Sequence, residues 1–351
     1  MELSSATLHA RALPLARSLS AYGINCRVIL PINWWTIAGS TIGEILSILS
    51  LHKFREYLET IRKKPDAVII GRSSSINLFI FLKILKLRGI KVIFDLDDAV
   101  ILPSLSILGV RIRSPAYVCA EKMLRDSDAV IVNGNYLYSY AKSCKSRVFV
   151  IHVPVDTDLF NPAKRKFSKK ITIGWQGNPA NHYENLNLLL KPLQKLAEKH
   201  VFRFKICSSL GDEKVKQMFA KLSRLIEVDF GSDYWLPLGL FAEQMFDFDI
   251  LVAPLVNSDW NQGKSALRVS AGMAMGIPVV ASPFGEQKQI IRHGANGFLA
   301  TNEQEWYLYL KSLIENDDLR QEIGKRARET SEKELSLSNS SKNLSLIIRS
   351  L

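Results

Sequence analysis

The sequence predicts an α/β protein made of two Rossmann-like, doubly wound domains. Three observations carry that prediction. Short apolar runs that end in polar loops alternate with helix-period segments, a spacing that demands right-handed βαβ units and parallel sheets. At 351 residues the chain can supply two ordinary domains, each with its own core. Between them Pro154, Pro162 and the basic run KRKFSKK at 164–170 mark a linker. The expected division is a first domain over 1–155, a linker over 156–170, a second domain over 171–330 and a terminal helix over 331–351.

The first domain opens on a helix over 4–23, with Ser4, Ser5 or Thr7 as candidate caps. A strand is expected at 24–31, and a helix at 53–64 that Pro65 ends. Next come a strand and loop at 66–74, an apolar helix ending near Gly89, and a strand with an acidic loop at 91–100. A helix over 115–126, a strand and helix start at 128–136, and a strand with its exit loop at 147–162 complete the half. The segment 32–51, with Trp34 and Trp35, is apolar but irregular. The second domain starts with a strand and glycine-containing loop at 170–179, followed by an amphipathic helix at 185–199. A strand at 202–209, a helix at 213–223 and a strand and loop at 227–235 follow.

The stretch 249–300 organises that second half. Residues 249–255 form a buried parallel strand closed by a proline, and a polar loop runs over 257–263. A helix over 264–275 ends at Gly276, and Pro278 and Pro283 bracket the next strand. Lys264 and Arg268 lie four residues apart, on one face of the first turns. They stand beside backbone N–H groups without intrahelical partners, at the C-terminal end of a strand. This arrangement suits a phosphate or diphosphate; the ordinary alternative is a solvated basic helix start.

The stretch resembles the C-terminal half of GT-B glycosyltransferases of the large retaining group that uses nucleotide-sugar donors. FDILVAPL at 248–255, GKSALR at 263–268 and GIPVVAS at 276–282 carry the resemblance. HGANGFLA at 293–300, Glu305–Trp306 and DDLRQEIGKRARE at 317–329 continue it in order, and VPVDTDLFNP at 153–162 resembles the family's interdomain segment. The resemblance implies two Rossmann-like domains facing a cleft, with the last helix crossing back onto the first. It implies transfer of a sugar from a nucleoside-diphosphate sugar to a glycan or lipid-linked acceptor, with retention and without a metal or other cofactor. Such domains begin one strand earlier than this sequence does, which predicts a start codon further upstream.

Transfer of this kind requires the leaving diphosphate to be neutralised, the oxocarbenium-like sugar held and the acceptor hydroxyl placed. Lys264 and Arg268 suit the diphosphate, with Ser265 as an added donor and Gly263 at the loop's end. Gly177 and Asn178 belong to the loop expected to approach the phosphates, where a missing side chain matters. His182, in the same loop, reads as a surface residue at a helix start, with a phosphate contact as the other reading. Asp97, in the DLDD run at 95–98, falls where relatives place a histidine near the reacting sugar, and its carboxylate can accept a proton or hydrogen bond from the acceptor. A metal site and a solvated turn are the other readings of that run. Asp259 and Asn261 are candidates for the sugar hydroxyls or for the turn itself, and Glu286 for capping a surface helix or for supplying a carboxylate lost elsewhere. The family usually has a glutamate on the donor ribose five residues before Gly276; here that position is Ala271. Ala271 supports the alternative reading, a degenerate GT-B protein that binds a partner or glycan without turnover.

Composition narrows the rest. Apolar residues make up 47% and charged residues 23%, as in globular rather than disordered chains. The net charge of +12 admits diphosphate ligands, a peripheral membrane surface or nucleic acid. Nucleic acid ranks last, because no zinc-finger or RNA-recognition signature is present. No run approaches the roughly 20 apolar residues that cross a bilayer, since Lys83 and Lys86 interrupt the nearest candidate. No basic-then-apolar leader opens the sequence, so a cytoplasmic location is expected. The four cysteines form no CxxC pair and the six histidines show no ligand spacing, so reduced thiols and no metal are expected.

Overall fold

The computed structural model describes residues 8–29, 51–71, 76–99, 105–107, 110–112, 115–207, 212–231 and 238–351. Two compact units account for the chain. The first comprises Met1–Leu15 and His152–Ser341, and the second Ala16–Ile151 and Lys342–Leu351.

In the second unit, strands β1 (Ala67–Gly71), β2 (Lys91–Leu96), β5 (Ala129–Val132) and β6 (Val148–Val150) form a parallel sheet in the order β1-β2-β5-β6. Between β2 and β5, β3 (Leu105–Ile107) and β4 (Val110–Ile112) pair as a separate antiparallel ribbon. Val92 to Leu96 and all of β5 are buried, which explains why these strands read as unbroken apolar runs rather than alternating ones. Helices Ile76–Leu87 and Pro115–Asp126 pack together, and Tyr57 of helix Leu51–Lys63 stacks on Phe81 at 4.4 Å. The chain's last residues belong here too, with Arg349 donating to the Tyr22 carbonyl at 2.6 Å and Arg147 to that of Ser350 at 2.6 Å.

The expected strand at 24–31 is not found: residues 24–29 carry no ladder, and 30 and 31 lie outside the described residues. The apolar run was read as a strand, yet Gly23 turns left-handed (φ 71°) to stop the preceding helical turns, and Val28 stays exposed. The irregular segment 32–50 and the caps at Ser4, Ser5 and Thr7 also fall outside the described residues.

The first unit has six parallel strands: β7 (Thr172–Gln176), β8 (Arg203–Cys207), β9 (Glu227–Phe230), β10 (Ile250–Ala253), β11 (Val279–Ala281) and β12 (Phe298–Leu299). Their order is β12-β11-β10-β7-β8-β9. Successive strands run outward from β7 in one direction and from β10 in the other, so the order reverses between β7 and β10. In open α/β sheets that reversal opens a crevice at the strands' C-terminal ends. The register Ile250↔Ile173 and Leu251↔Gly174 brings those two ends level. Trp175, Phe204 and Phe219 fill one face of the sheet, and Leu251, Val279 and Met273 the other. The unit's entering and leaving segments are tied to each other: Val155 N–H donates to the Leu335 carbonyl, and Leu337 N–H to that of Val155, each at 2.9 Å.

Candidate functional site

Loops at the ends of β7 and β10 build the candidate site. The segment expected as one helix over 264–275 instead holds a short helix, Asp259–Gln262, then a loop, then helix Leu267–Ala274. Ser258 caps the short helix by accepting from Asn261 N–H at 3.2 Å. Lys264 therefore stands in the loop and Arg268 in the first turn of the second helix.

Arg268 lies over the Trp175 ring at 4.6 Å from its centroid, a cation–π contact. Its Nε is enclosed and makes no hydrogen bond, and burial pushes the guanidinium down to about 9. A cation taken out of water without a counter-ion is costly, and an anion beside it offsets that cost. Gly177 makes the arrangement possible. At φ 153° it adopts a conformation that other residues rarely take, and a Cβ there would collide with the Arg268 guanidinium and lie 3.2 Å from the Trp175 ring. The sequence-predicted trio Gly177, Lys264 and Arg268 is thus brought together, and Trp175 is the member that sequence reasoning missed. Its only signal was a large aromatic two residues before the glycine.

His182 is not a surface residue. It is 5% exposed, edge-on to Trp175 at 5.5 Å, with Nε2 2.9 Å from Lys264 Nζ. Burial, then the charges of Arg268 and Lys264, hold its pKa down to about 2, so the ring is neutral. The chain buries this helix-start residue because the turn Pro179–Asn181 folds it back onto Trp175. Glu286 is also no surface cap: its side chain is fully buried. Oε2 accepts from Ala266 N–H at 2.6 Å, and Oε1 from Val153 N–H at 2.9 Å with His152 Nδ1 also 2.9 Å away. Glu286 therefore fixes the start of the Arg268 helix against the segment that enters the unit. Gly285 (φ 65°) lets this corner approach the loop; a Cβ there would stand 2.7 Å from the Asn261 carbonyl.

The other candidates are placed as follows. Asn178 is exposed and accepts from Ala180 N–H at 3.1 Å, capping a single turn. Asn261 points inward, donating to the Val256 carbonyl at 2.9 Å and to Asn185 Oδ1 at 3.1 Å, so its amide shapes the loop. Asp259 opens the short helix, Gly263 closes it, and Ser265 is half-buried in the loop beyond. Ala271 is fully buried in the apolar cluster with Leu251 and Val269, so no carboxylate reaches a ligand from that position. Asp97 belongs to the second unit, just beyond β2, where it is buried and its carbonyl accepts from Asn133 at 2.8 Å. Among the described residues no three His, Cys, Asp or Glu side chains converge as a metal site would need.

Residues 170–316 match the family described as Glycosyl transferases group 1. They form a glycosyl transferases group 1 domain. The match takes in β7 to β12 and every site residue of the first unit, but not Asp97. The chain is similar in structure to a glycosyltransferase from Rickettsia africae, with a TM-score of 0.68, 17% identity and coverage of 99% of this chain and 96% of that one. It is similar to Anabaena HepE, solved with UDP and glucose, with a TM-score of 0.65, 15% identity and coverage of 95% and 88%. It also resembles S. aureus TarM, with a TM-score of 0.63 and 17% identity over 83% of this chain, and spans 57% of the TarM chain. At these identities the likeness speaks for the fold, which is GT-B. No curated protein matches the chain.

Proposed function

We propose that the protein moves a sugar from a nucleoside-diphosphate sugar to a glycan or lipid-linked acceptor, with retention of configuration. The observation that carries this is the half-buried Arg268 side chain, its Nε enclosed and its guanidinium stacked on Trp175 over Gly177 beside Lys264, at the point where the strand order reverses. Lys264 and Arg268 neutralise the diphosphate as the anomeric carbon–oxygen bond breaks, which stabilises charge that grows in the transition state. The first-turn N–H groups of helix Leu267–Ala274 add positive potential. Asn178 and Ser265 hydrogen-bond the donor and Asp259 lines its sugar side, while Asn261, turned inward, holds the loop that carries them. Asp97 takes a hydrogen bond from the acceptor hydroxyl. No step requires a metal.

The test is to titrate the protein with UDP and a panel of nucleotide sugars, then to follow nucleoside-diphosphate release with acceptor present. Binding of one nucleotide sugar with release that depends on acceptor supports the reading. Failure of every nucleotide to bind defeats it. The buried Ala271 favours a second reading, a protein that binds without turnover, and binding without release would select that one.

A peripheral membrane role belongs to the same proposal. No described helix is long and apolar enough to cross a membrane. Helix Ile76–Leu87 exposes Ile76, Ile80, Ile84 and Leu87 along one stripe, with Lys83 beside it. Co-sedimentation with anionic vesicles, lost in Ile80→Asp, is the expected outcome.

A further inference from the structure

Three buried side-chain nitrogens around Gly177 find no hydrogen-bond acceptor among the described residues: Trp175 Nε1, Gln176 Nε2 and Arg268 Nε. All three are donors. A buried polar group left unpaired costs stability, and folded proteins keep few of them. Arg268 and Trp175 belong to the candidate site already. Gln176 stands between Trp175 and Gly177, and its amide has no other employment.

Gln176 ends β7 and is 1% exposed. Side chains alternate along a strand, so it leaves the sheet on the face opposite Trp175. Gly174 marks that face, because a Cβ there would meet the Phe248 ring. Helix Leu267–Ala274 covers the same face: its Gly272 packs on Leu251, which is level with Gly174. Arg268 lies one turn nearer the start of that helix, and Gln176 two residues nearer the end of β7, so both approach the same end of the sheet. The protein's own acceptors there are taken or absent. On β8, Cys207 is level with Gln176 and offers only a thiol, which donates to the Gln244 carbonyl at 3.5 Å. On β10 the Ala253 carbonyl receives Ser282 N–H at 3.2 Å and Gln287 Nε2 at 3.1 Å.

We propose that Gln176 is a further binding residue for the donor substrate, its amide meeting an oxygen of the bound nucleotide. The proposal rests on reading Lys264 and Arg268 as the diphosphate site. Two kinds of oxygen on the nucleotide have the required chemistry. A phosphate oxygen accepts from Nε2, whereas a ribose hydroxyl both gives and accepts and so satisfies either end of the amide. In both cases the free protein carries an unpaired amide that binding pairs.

This predicts a trade between stability and binding that a structural glutamine would not show. Gln176→Met keeps the length of the side chain and removes the amide. The free variant should melt at or above the wild-type temperature, because an unpaired polar group has left the interior. UDP should nevertheless bind it about tenfold more weakly by calorimetry. Inorganic diphosphate separates the two oxygens: weakened as UDP is, it points to phosphate, and unchanged, to the ribose. In the unaltered protein the side-chain amide signals of Gln176 should shift in nitrogen NMR when UDP is added, a readout that needs no variant to fold. Signals that stay in place would overturn the proposal. So would a Gln176→Met variant that melts below wild type, since the free protein would then be using the amide. Wild-type UDP affinity in Gln176→Met, with binding weakened in Lys264→Ala, would overturn the role of Gln176 alone. Unchanged UDP binding in both Lys264→Ala and Arg268→Ala would overturn the diphosphate reading beneath it.

Discussion

The Arg268 guanidinium rests 4.6 Å from the centroid of the Trp175 ring, and its Nε is enclosed without an acceptor. The aromatic face compensates only part of the lost hydration, so the site holds a cation ready for an anionic ligand. Arg268→Ala and Lys264→Ala should each weaken UDP binding by about 1–3 kcal/mol, as measured by calorimetry. Wild-type affinity in both, with folding intact, would remove the pair from the site.

His182 makes stability depend on pH. Its folded pKa, about 2, lies below the ordinary 6.5, so below 6.5 the unfolded chain binds the extra proton. Stability from this group is complete above that value and falls as pH drops toward the folded pKa. Between pH 7 and pH 5 the loss should be about 2 kcal/mol, read from urea unfolding at the two pH values. The same experiment on His182→Gln should show a correspondingly smaller difference; an equal one would mean that other groups carry it.

Glu286 should matter for folding more than its place in a surface-reading sequence suggests. Glu286→Ala leaves the Val153 and Ala266 N–H groups without their acceptor, at about 1–3 kcal/mol for each group that stays buried. A melting temperature equal to that of wild type would mean that water or another side chain replaces both contacts.

The family resemblance implies that a carboxylate at 271 would reach the ribose. The structure puts Ala271 in a cluster closed to solvent, so Ala271→Glu should bury an unpaired charge. The expected result is a loss of roughly 3–5 kcal/mol in urea unfolding, without tighter nucleotide binding. A stable variant with higher affinity for UDP would show that the helix can turn this position toward the ligand.

Much of this site was legible before any coordinates. The runs at 249–255 and 276–282 have the period and punctuation of buried parallel strands, and β10 and β11 form inside them. Lys264, Arg268 and Gly177 could be singled out because strand ends, glycine and helix starts have local signatures. His182 and Glu286 were legible as candidates but not as buried residues. Their roles come from contacts across 82 residues to Lys264 and across 133 residues to Val153, which no window on the chain contains. The strand expected at 24–31 is missing over its described residues, 24–29, for a related reason. An apolar run licenses a strand only if a neighbouring strand offers it a ladder, and the sequence does not say where neighbours lie.

Gly177 has a consequence that a geneticist would meet first. A Cβ at this position occupies the space of the Arg268 guanidinium, so the two residues are not independent loci for mutation. A Gly177→Ala allele should phenocopy Arg268→Ala, although the arginine is still encoded. Intragenic suppressors of that allele should then fall among changes that shorten or redirect residue 268, rather than scatter through the gene.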